Sequence, residues 1–217
     1  MRTTDRRLAT SLVGVAGGTG SGKSTIVRGL VDRVGGTVID LDAYYHDRSG
    51  LPATERNRIN YDDPAAIDAA LLVRQLTLLA RGESVRKPVY SFETHTRTGV
   101  QVVAPARLVI VEGLFTLWWE SVRSLLNVKV FVDAAPDLRL IRRISRDIAE
   151  RGRTLDQVLE QYLGTVRPMH DRYVEPTRMH ADLVVTNDGS IEDAIDCMIT
   201  AVSSGNADGT PAAAANR

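Results

Sequence analysis

The segment that most constrains this chain is residues 17–24, Gly-Gly-Thr-Gly-Ser-Gly-Lys-Ser. It follows a short apolar run, Leu12-Val13-Gly14-Val15-Ala16, and precedes a stretch with Ile26, Val27, Leu30 and Val31 at helical spacing. An apolar strand, a glycine loop and a helix in that order form the opening βα unit of a parallel sheet. Glycines let successive backbone N–H groups turn inward around an anion with no Cβ in the way. The helix that follows presents its positive end to the same anion. The spacing Gly17-x4-Gly22-Lys23-Ser24 therefore predicts a cradle for the phosphates of a nucleoside triphosphate, built from Gly17, Gly18, Thr19, Gly20, Ser21, Gly22, Lys23, Ser24 and Thr25. Lys23 reaches the terminal phosphates and the Ser24 hydroxyl is a ligand for Mg²⁺.

The rest of the chain repeats the alternation. Gly35-Gly36 stops the first helix, and Thr37 to Asp40 reads as a second strand. Residues 41–63 are polar and irregular, a length that points to function. Pro64 opens a helix carrying Ile67, Leu71, Leu72, Leu76 and Leu79. Residues 86–103 alternate around Gly99, which predicts a small antiparallel hairpin turning there. Apolar strands end at Glu112 and Asp133, charged helices are expected at 137–150 and 155–173, and a last strand and helix at 183–185 and 191–202. This is the order of a doubly wound parallel sheet. The Ala-, Gly- and Asn-rich end, from about Ser203, reads as disordered. That leaves 1–204 as a single domain, with a hairpin at about 86–104, a helical lid at about 137–161 and a tail at 205–217.

Composition narrows the partners. The formal net charge is +0, which argues against bulk nucleic-acid binding. The N-terminus lacks a signal-peptide core, and no apolar run approaches the ~20 residues of a membrane span. The single cysteine, Cys197, can form no intrachain disulfide; with Ile195, Met198 and Ile199 around it, it reads as a buried helical thiol. A soluble cytoplasmic protein is expected.

Acids stand where such folds bind ligands, beyond the carboxyl ends of the strands. Glu112, followed by Gly113, is placed to steady Mg²⁺, directly or through water. Asp40 and Asp42 follow the second strand, where a carboxylate can accept a proton from an attacking hydroxyl; spacing alone does not choose between them. Asp133 reads as a helix cap or turn acid. Arg139, Arg142, Arg143 and Arg146 fall on one helix face, with Arg151 and Arg153 around Gly152. They could be a solvated face paired with Asp137, Asp147 and Glu150. Beside a phosphate loop, at least two of them are expected to neutralise the moving phosphoryl group and exclude water.

Together these segments resemble the uridine–cytidine kinase family of P-loop kinases. Leu41-Asp42-Ala43-Tyr44-Tyr45, Asn60-Tyr61-Asp62-Asp63-Pro64, the hairpin Pro88-Val89-Tyr90-Ser91-Phe92-Glu93-Thr94-His95-Thr96-Arg97, Val111-Glu112-Gly113 and the run from Arg142 to Arg153 are each similar to a family segment, in order. Gln157 to Gln161, Pro168 and Pro176-Thr177 extend the likeness, from about Val13 to Asp188. Two positions depart from it: Ser91 replaces an acid and Tyr61 a Phe.

The resemblance implies transfer of the γ-phosphate of ATP or GTP to the 5′-hydroxyl of uridine and cytidine, giving UMP or CMP in pyrimidine salvage. Asp42 would be the base, with Lys23, Arg146 and Arg151 as catalytic cations. Ser24, Glu112 and Asp42 would attend Mg²⁺. Asp62 and Arg153 would hold the ribose, Tyr90 and His95 would read the pyrimidine with Tyr45 and Tyr61 beside it, and Arg143 and Gln161 would complete the contacts. Asp188 would lie near the adenine end, and a homotetramer would be expected. Two rivals stand against this. A phosphoribulokinase-like or pantothenate-kinase-like enzyme has no use for a base reader such as Tyr90–His95. A non-catalytic nucleotide switch would carry an Asn-Lys-x-Asp guanine reader, which Thr186-Asn187-Asp188-Gly189 is not.

Overall fold

A computed structural model describes residues 10–205; the charged N-terminus (1–9) and nearly all of the expected tail (206–217) lie outside the described residues. In chain order the elements are β1 (Ser11–Ala16), α1 (Lys23–Val34), β2 (Thr37–Asp40), a 3-10 turn Leu41–Tyr44, α2 (Ala53–Arg56), a 3-10 turn Pro64–Ala66 and α3 (Ala69–Ala80). The hairpin β3 (Val85–Ser91) and β4 (Thr96–Val103) follows, then β5 (Leu108–Glu112), α4 (Glu120–Arg123), β6 (Val128–Asp133), α5 (Pro136–Arg151) and α6 (Leu155–Gln161). A π-helical segment Tyr162–Val166, α7 (Arg167–Met169), a second π segment His170–Val174, a 3-10 turn Glu175–His180, β7 (Leu183–Thr186) and α8 (Ile191–Gly205) complete it.

The central sheet has the order β2-β5-β1-β6-β7, and each neighbouring pair is parallel. Successive side chains of a strand point to opposite faces, and both faces are covered. Leu12 and Val111 join Leu72, Leu76 and Leu79 of α3 in one core. Val13, Val15, Val130 and Val132 join Ile26 and Leu30 of α1 and Ile195 and Met198 of α8 in the other. Parallel strands buried on both sides require the near-continuous apolar runs seen in the sequence. Register places Asp40 beside Glu112, and Glu112 beside Val15 of the strand that leads into the glycine loop. The doubly wound sheet thus gathers the loop and two acids at one edge.

Several local expectations are corrected. Pro64 does not start a long helix. Ile67 extends to pair with Tyr45, and α3 begins after Asp68, whose carboxylate accepts the Leu71 amide at 2.9 Å. The hairpin turns at Phe92–His95, with His95 at φ 54°, while Gly99 lies within β4 opposite Val89, next to a register shift. The helix expected at 155–173 is broken by π-helical turns. The last helix runs through Ser203 to Gly205. Cys197 is exposed, because the buried stripe of α8 is Ala194, Ile195, Met198 and Val202, which leaves position 197 outside. Asp133 caps no helix; it pairs with Arg178 at 2.8 Å.

Candidate active site

The phosphate loop is tightly fitted. Gly17, Gly20 and Gly22 all have positive φ, at 144°, 76° and 91°. A side chain at Gly20 would meet the Arg139 carbonyl, and one at Gly22 the Asn187 amide, so glycine is required twice over. Asn187 Nδ2 donates to the Ser21 carbonyl at 2.8 Å and fixes the loop from the β7 side. Lys23 is buried; its Nζ donates to the Gly18 carbonyl at 3.1 Å, across the mouth of the cradle. Burial lowers its pKa, opposed by Glu112 and Asp42. Among the described residues that carbonyl is the one hydrogen-bond partner of Nζ, so the ammonium has donors left for an anion.

The acidic edge adjoins it. Ser24 Oγ donates to Glu112 Oε1 at 2.7 Å, so the two oxygens form a hard pair at the loop. The Asp42 amide donates to Asp40 Oδ1 at 2.9 Å, which folds the turn directly after the strand position that pairs with Glu112. Burial, then Asp40 and Glu112, raise the Asp42 pKa to about 7, against Lys23 and Arg151. Burial and Glu112 raise that of Asp40 as well. A carboxylate poised near neutrality is suited to take up a proton. Among the described residues no three His, Cys, Asp or Glu side chains form a metal cage. The Ser24 hydroxyl and the Glu112 carboxylate are hard oxygens of the kind that could hold a Mg²⁺.

Opposite this edge the hairpin builds an aromatic wall. Tyr45 contacts Tyr61 edge-on at 5.6 Å and Tyr90 at 5.1 Å, and Tyr61 stacks on His95 at 4.3 Å with an interplanar angle of 10°. Arg97 secures the hairpin, donating Nε to the Tyr45 carbonyl at 3.0 Å and Nη2 to the Tyr44 carbonyl at 3.3 Å. Ser91, where the resemblance expected an acid, accepts the Thr94 amide and closes the turn. His95 Nδ1 is buried with no hydrogen-bond partner, and the buried Tyr61 and Tyr90 hydroxyls have none but each other. Burial and the Tyr61 hydroxyl raise the pKa of Tyr90; burial, with Arg56 and Arg153, lowers that of His95. Asp62 accepts from Thr165 Oγ1 at 2.9 Å. Asp62 and Thr19 of the phosphate loop line a small hollow together with Phe115, Val166 and His170.

The arginines of α5 divide their work. Arg139 is buried against the loop and donates Nε to the Ala134 carbonyl at 3.1 Å. Arg142 donates to the Asn187 carbonyl at 3.0 Å. Arg143 and Arg146 reach Thr19 Oγ1 at 3.3 and 3.5 Å. Arg143 and Arg153 both donate to Gln161 Oε1, at 2.9 and 2.5 Å. Arg151 lies over the Phe92 ring at 5.8 Å. Ser24 and Thr25 are exposed at the start of α1. Asp188 accepts the Ala135 amide at 2.7 Å and braces the start of α5.

The chain matches the Phosphoribulokinase / Uridine kinase family over residues 12–192. It belongs to that family. A uridine kinase of Geobacillus kaustophilus is 46% identical over 195 residues, covering 88% of this chain and 92% of the relative. One from Lactobacillus helveticus is 42% identical over 198 residues, covering 89% and 94%. Among solved structures, a protein of Silicibacter sp. TM1040 named as a candidate fructose transport system kinase has a TM-score of 0.69 at 22% identity, covering 83% of this chain and 91% of its own. A protein of Bacillus stearothermophilus named as a possible uridine kinase has a TM-score of 0.57 at 17% identity, with the same coverage. At these identities the solved structures speak for the P-loop kinase fold alone.

Membership in this kinase family makes ATP the phosphate donor for the loop. No described helix is long and apolar enough to cross a membrane. Four residues of the site went unread in the sequence. Thr165 sits on a π-helical turn that no periodicity announced. Asn187 looked like part of a failed guanine reader, yet it holds the phosphate loop. His170 packs at Gly18 beside Arg139, where burial, then Arg139, lower its pKa to about 4. Asp147 read as a solvated partner of the arginines and is fully buried.

Proposed function

We propose that this chain transfers the γ-phosphate of ATP to the 5′-hydroxyl of uridine, and also of cytidine. The observation that carries this reading is the set of buried polar atoms Tyr61 Oη, Tyr90 Oη and His95 Nδ1, which find no partner outside the set. Buried polar atoms are normally satisfied, and leaving one bare costs about 1–3 kcal/mol. Three of them among aromatic faces match the polar edge of a planar base that stacks there. A sugar phosphate or pantothenate would leave them bare, which disfavours the phosphoribulokinase-like alternative. The poised Asp42 disfavours a non-catalytic switch. The relatives named uridine kinases, at 42–46% identity, support the same substrate.

The roles follow from position. Asp62, held by Thr165, and Arg153, held by Gln161, bind the ribose hydroxyls and turn the 5′-oxygen toward the loop. Asp42 accepts the 5′-hydroxyl proton as the O5′–Pγ bond forms and the bond from Pγ to the β-phosphate oxygen breaks, releasing ADP. Lys23, Arg143, Arg146 and Arg151 hold the equatorial oxygens as charge spreads onto them. Ser24 and Glu112, with Asp42 nearby, would hold Mg²⁺, which would screen the phosphate charge. GTP is proposed as an alternative donor. The enzyme would serve pyrimidine salvage in the cytoplasm, as a homotetramer if it follows the family resemblance.

The test is an ADP-release assay with Mg²⁺-ATP against uridine, cytidine, adenosine, ribulose 5-phosphate and pantothenate. Turnover with the two pyrimidine nucleosides is expected. Turnover with a non-nucleoside and none with uridine would refute the proposal.

A further inference from the structure

Asp147 takes no direct part in the chemistry above, yet the lid converges on it. It is 0% exposed, and Arg143, Arg146, Arg151 and Arg153 approach its carboxylate at 3.6, 2.8, 3.4 and 3.2 Å. Helical spacing accounts for Arg143 and Arg151, one turn to either side. Arg153 arrives because Gly152, at φ 62°, reverses the chain, and the amides of Gly152 and Arg153 both donate to the Asp147 carbonyl. Backbone and side chain of one residue therefore shape both the end of α5 and the turn after it. Burial alone would raise the Asp147 pKa; the arginines outweigh it and hold the group ionised.

The bonded arginines face two ways. Arg143 and Arg146 reach Thr19 of the phosphate loop. Arg153 shares the Gln161 side chain with Arg143, and the main-chain carbonyl of Gln161 shares the single Thr165 hydroxyl proton with Asp62. Four guanidinium groups this close repel one another in a partly dry site. One carboxylate holds them together while leaving an excess of positive charge for phosphate.

We infer that Asp147 is a positioning residue that binds the phosphate-side and acceptor-side arginines into one unit, so that filling either subsite orders the other. The inference rests on the assignment of those two subsites under the proposed function. Ordering shared between two sites produces positive coupling, because the second ligand meets a lid already fixed.

The test is Asp147→Asn, which keeps the shape and removes the charge. Uridine affinity is measured calorimetrically with and without a non-hydrolysable ATP analogue and Mg²⁺. Coupling in the wild type should be roughly fivefold or more. In the variant the ratio should approach one and kcat should fall about tenfold or more, while the analogue alone binds within about threefold of wild type. Amide hydrogen exchange of residues 151–161 in the ligand-free variant should quicken about tenfold. Wild-type coupling and exchange in the variant would overturn the inference, as would a lower kcat with coupling unchanged. A wild type that binds the analogue but no uridine sinks the nucleoside reading instead, and the exchange measurement still decides the role of Asp147. Should the Asn variant not fold, Asp147→Glu decides: its displaced charge should lower coupling about threefold, and wild-type coupling would overturn the inference.

Discussion

Replacing Asp42 by Asn should remove catalysis and stabilise the protein at once. The two effects have one cause. Asp42 sits beside Asp40 and Glu112 in a partly closed corner, and its pKa is raised from 3.8 to about 7. At about 1.4 kcal/mol per pKa unit, a shift of that size corresponds to about 4 kcal/mol between the protonated and ionised folds. Asp42 keeps partial exposure, so solvent screening reduces this to about 2 kcal/mol. The sign follows from linkage. A carboxyl whose folded pKa lies above its unfolded value favours the fold when protonated. That contribution is complete below about pH 4 and is lost as pH rises through about 7. Asparagine resembles the protonated acid at every pH.

The ligand-free variant in EDTA should therefore match the wild type near pH 4. At pH 8 it should exceed it by about 2 kcal/mol, or roughly 4–8 °C in Tm for a domain of this size. Meanwhile kcat for uridine should fall by about 10² or more, with ATP binding retained. Melting curves at the two pH values, with steady-state kinetics at pH 8, check both halves. Wild-type turnover would remove Asp42 as the base. A variant no more stable at pH 8 than the wild type would show that the corner does not strain this carboxylate, and the account of its raised pKa would fail with it.

Four further substitutions probe the acceptor side and the core. Tyr90→Phe and His95→Ala each remove one of those buried polar atoms, so each should raise KM for uridine by about tenfold while KM for ATP stays within about twofold; initial-rate kinetics with either substrate varied decides. Thr165→Val removes the hydroxyl that bonds Asp62 at 2.9 Å and should weaken uridine binding roughly three- to tenfold, read by calorimetry. Leu76→Ala, at a fully buried position between α3 and the sheet, should cost about 2–5 kcal/mol in urea denaturation with KM values unchanged in the folded fraction.

What the sequence made legible follows the range of the interactions involved. The sheet could be read because parallel strands buried on both faces need apolar runs, and Leu12 to Ala16 and Leu108 to Val111 have little else to be. The phosphate loop could be read because its glycines answer to backbone geometry within eight residues. The hairpin turn was misplaced because Gly99 is the stronger turn residue on paper, while a register shift takes up the irregularity and His95 supplies the positive φ. Cys197 was misplaced because its sequence neighbours are not its neighbours on the helix face. The deepest miss is Asp147. Among arginines, an acid at i, i+4 spacing looks like one more solvated pair, worth a few tenths of a kcal/mol. Its burial depends on Gly152 turning Arg153 back onto it, and on Gln161 arriving from the next helix to share the same guanidinium groups. Those contacts span 6, 8 and 18 residues, and no helical periodicity announces them. A site made from the ends of separate elements is legible residue by residue, but what binds its parts together is written in the packing. The carboxylate at the centre of the lid therefore had to be found in the fold.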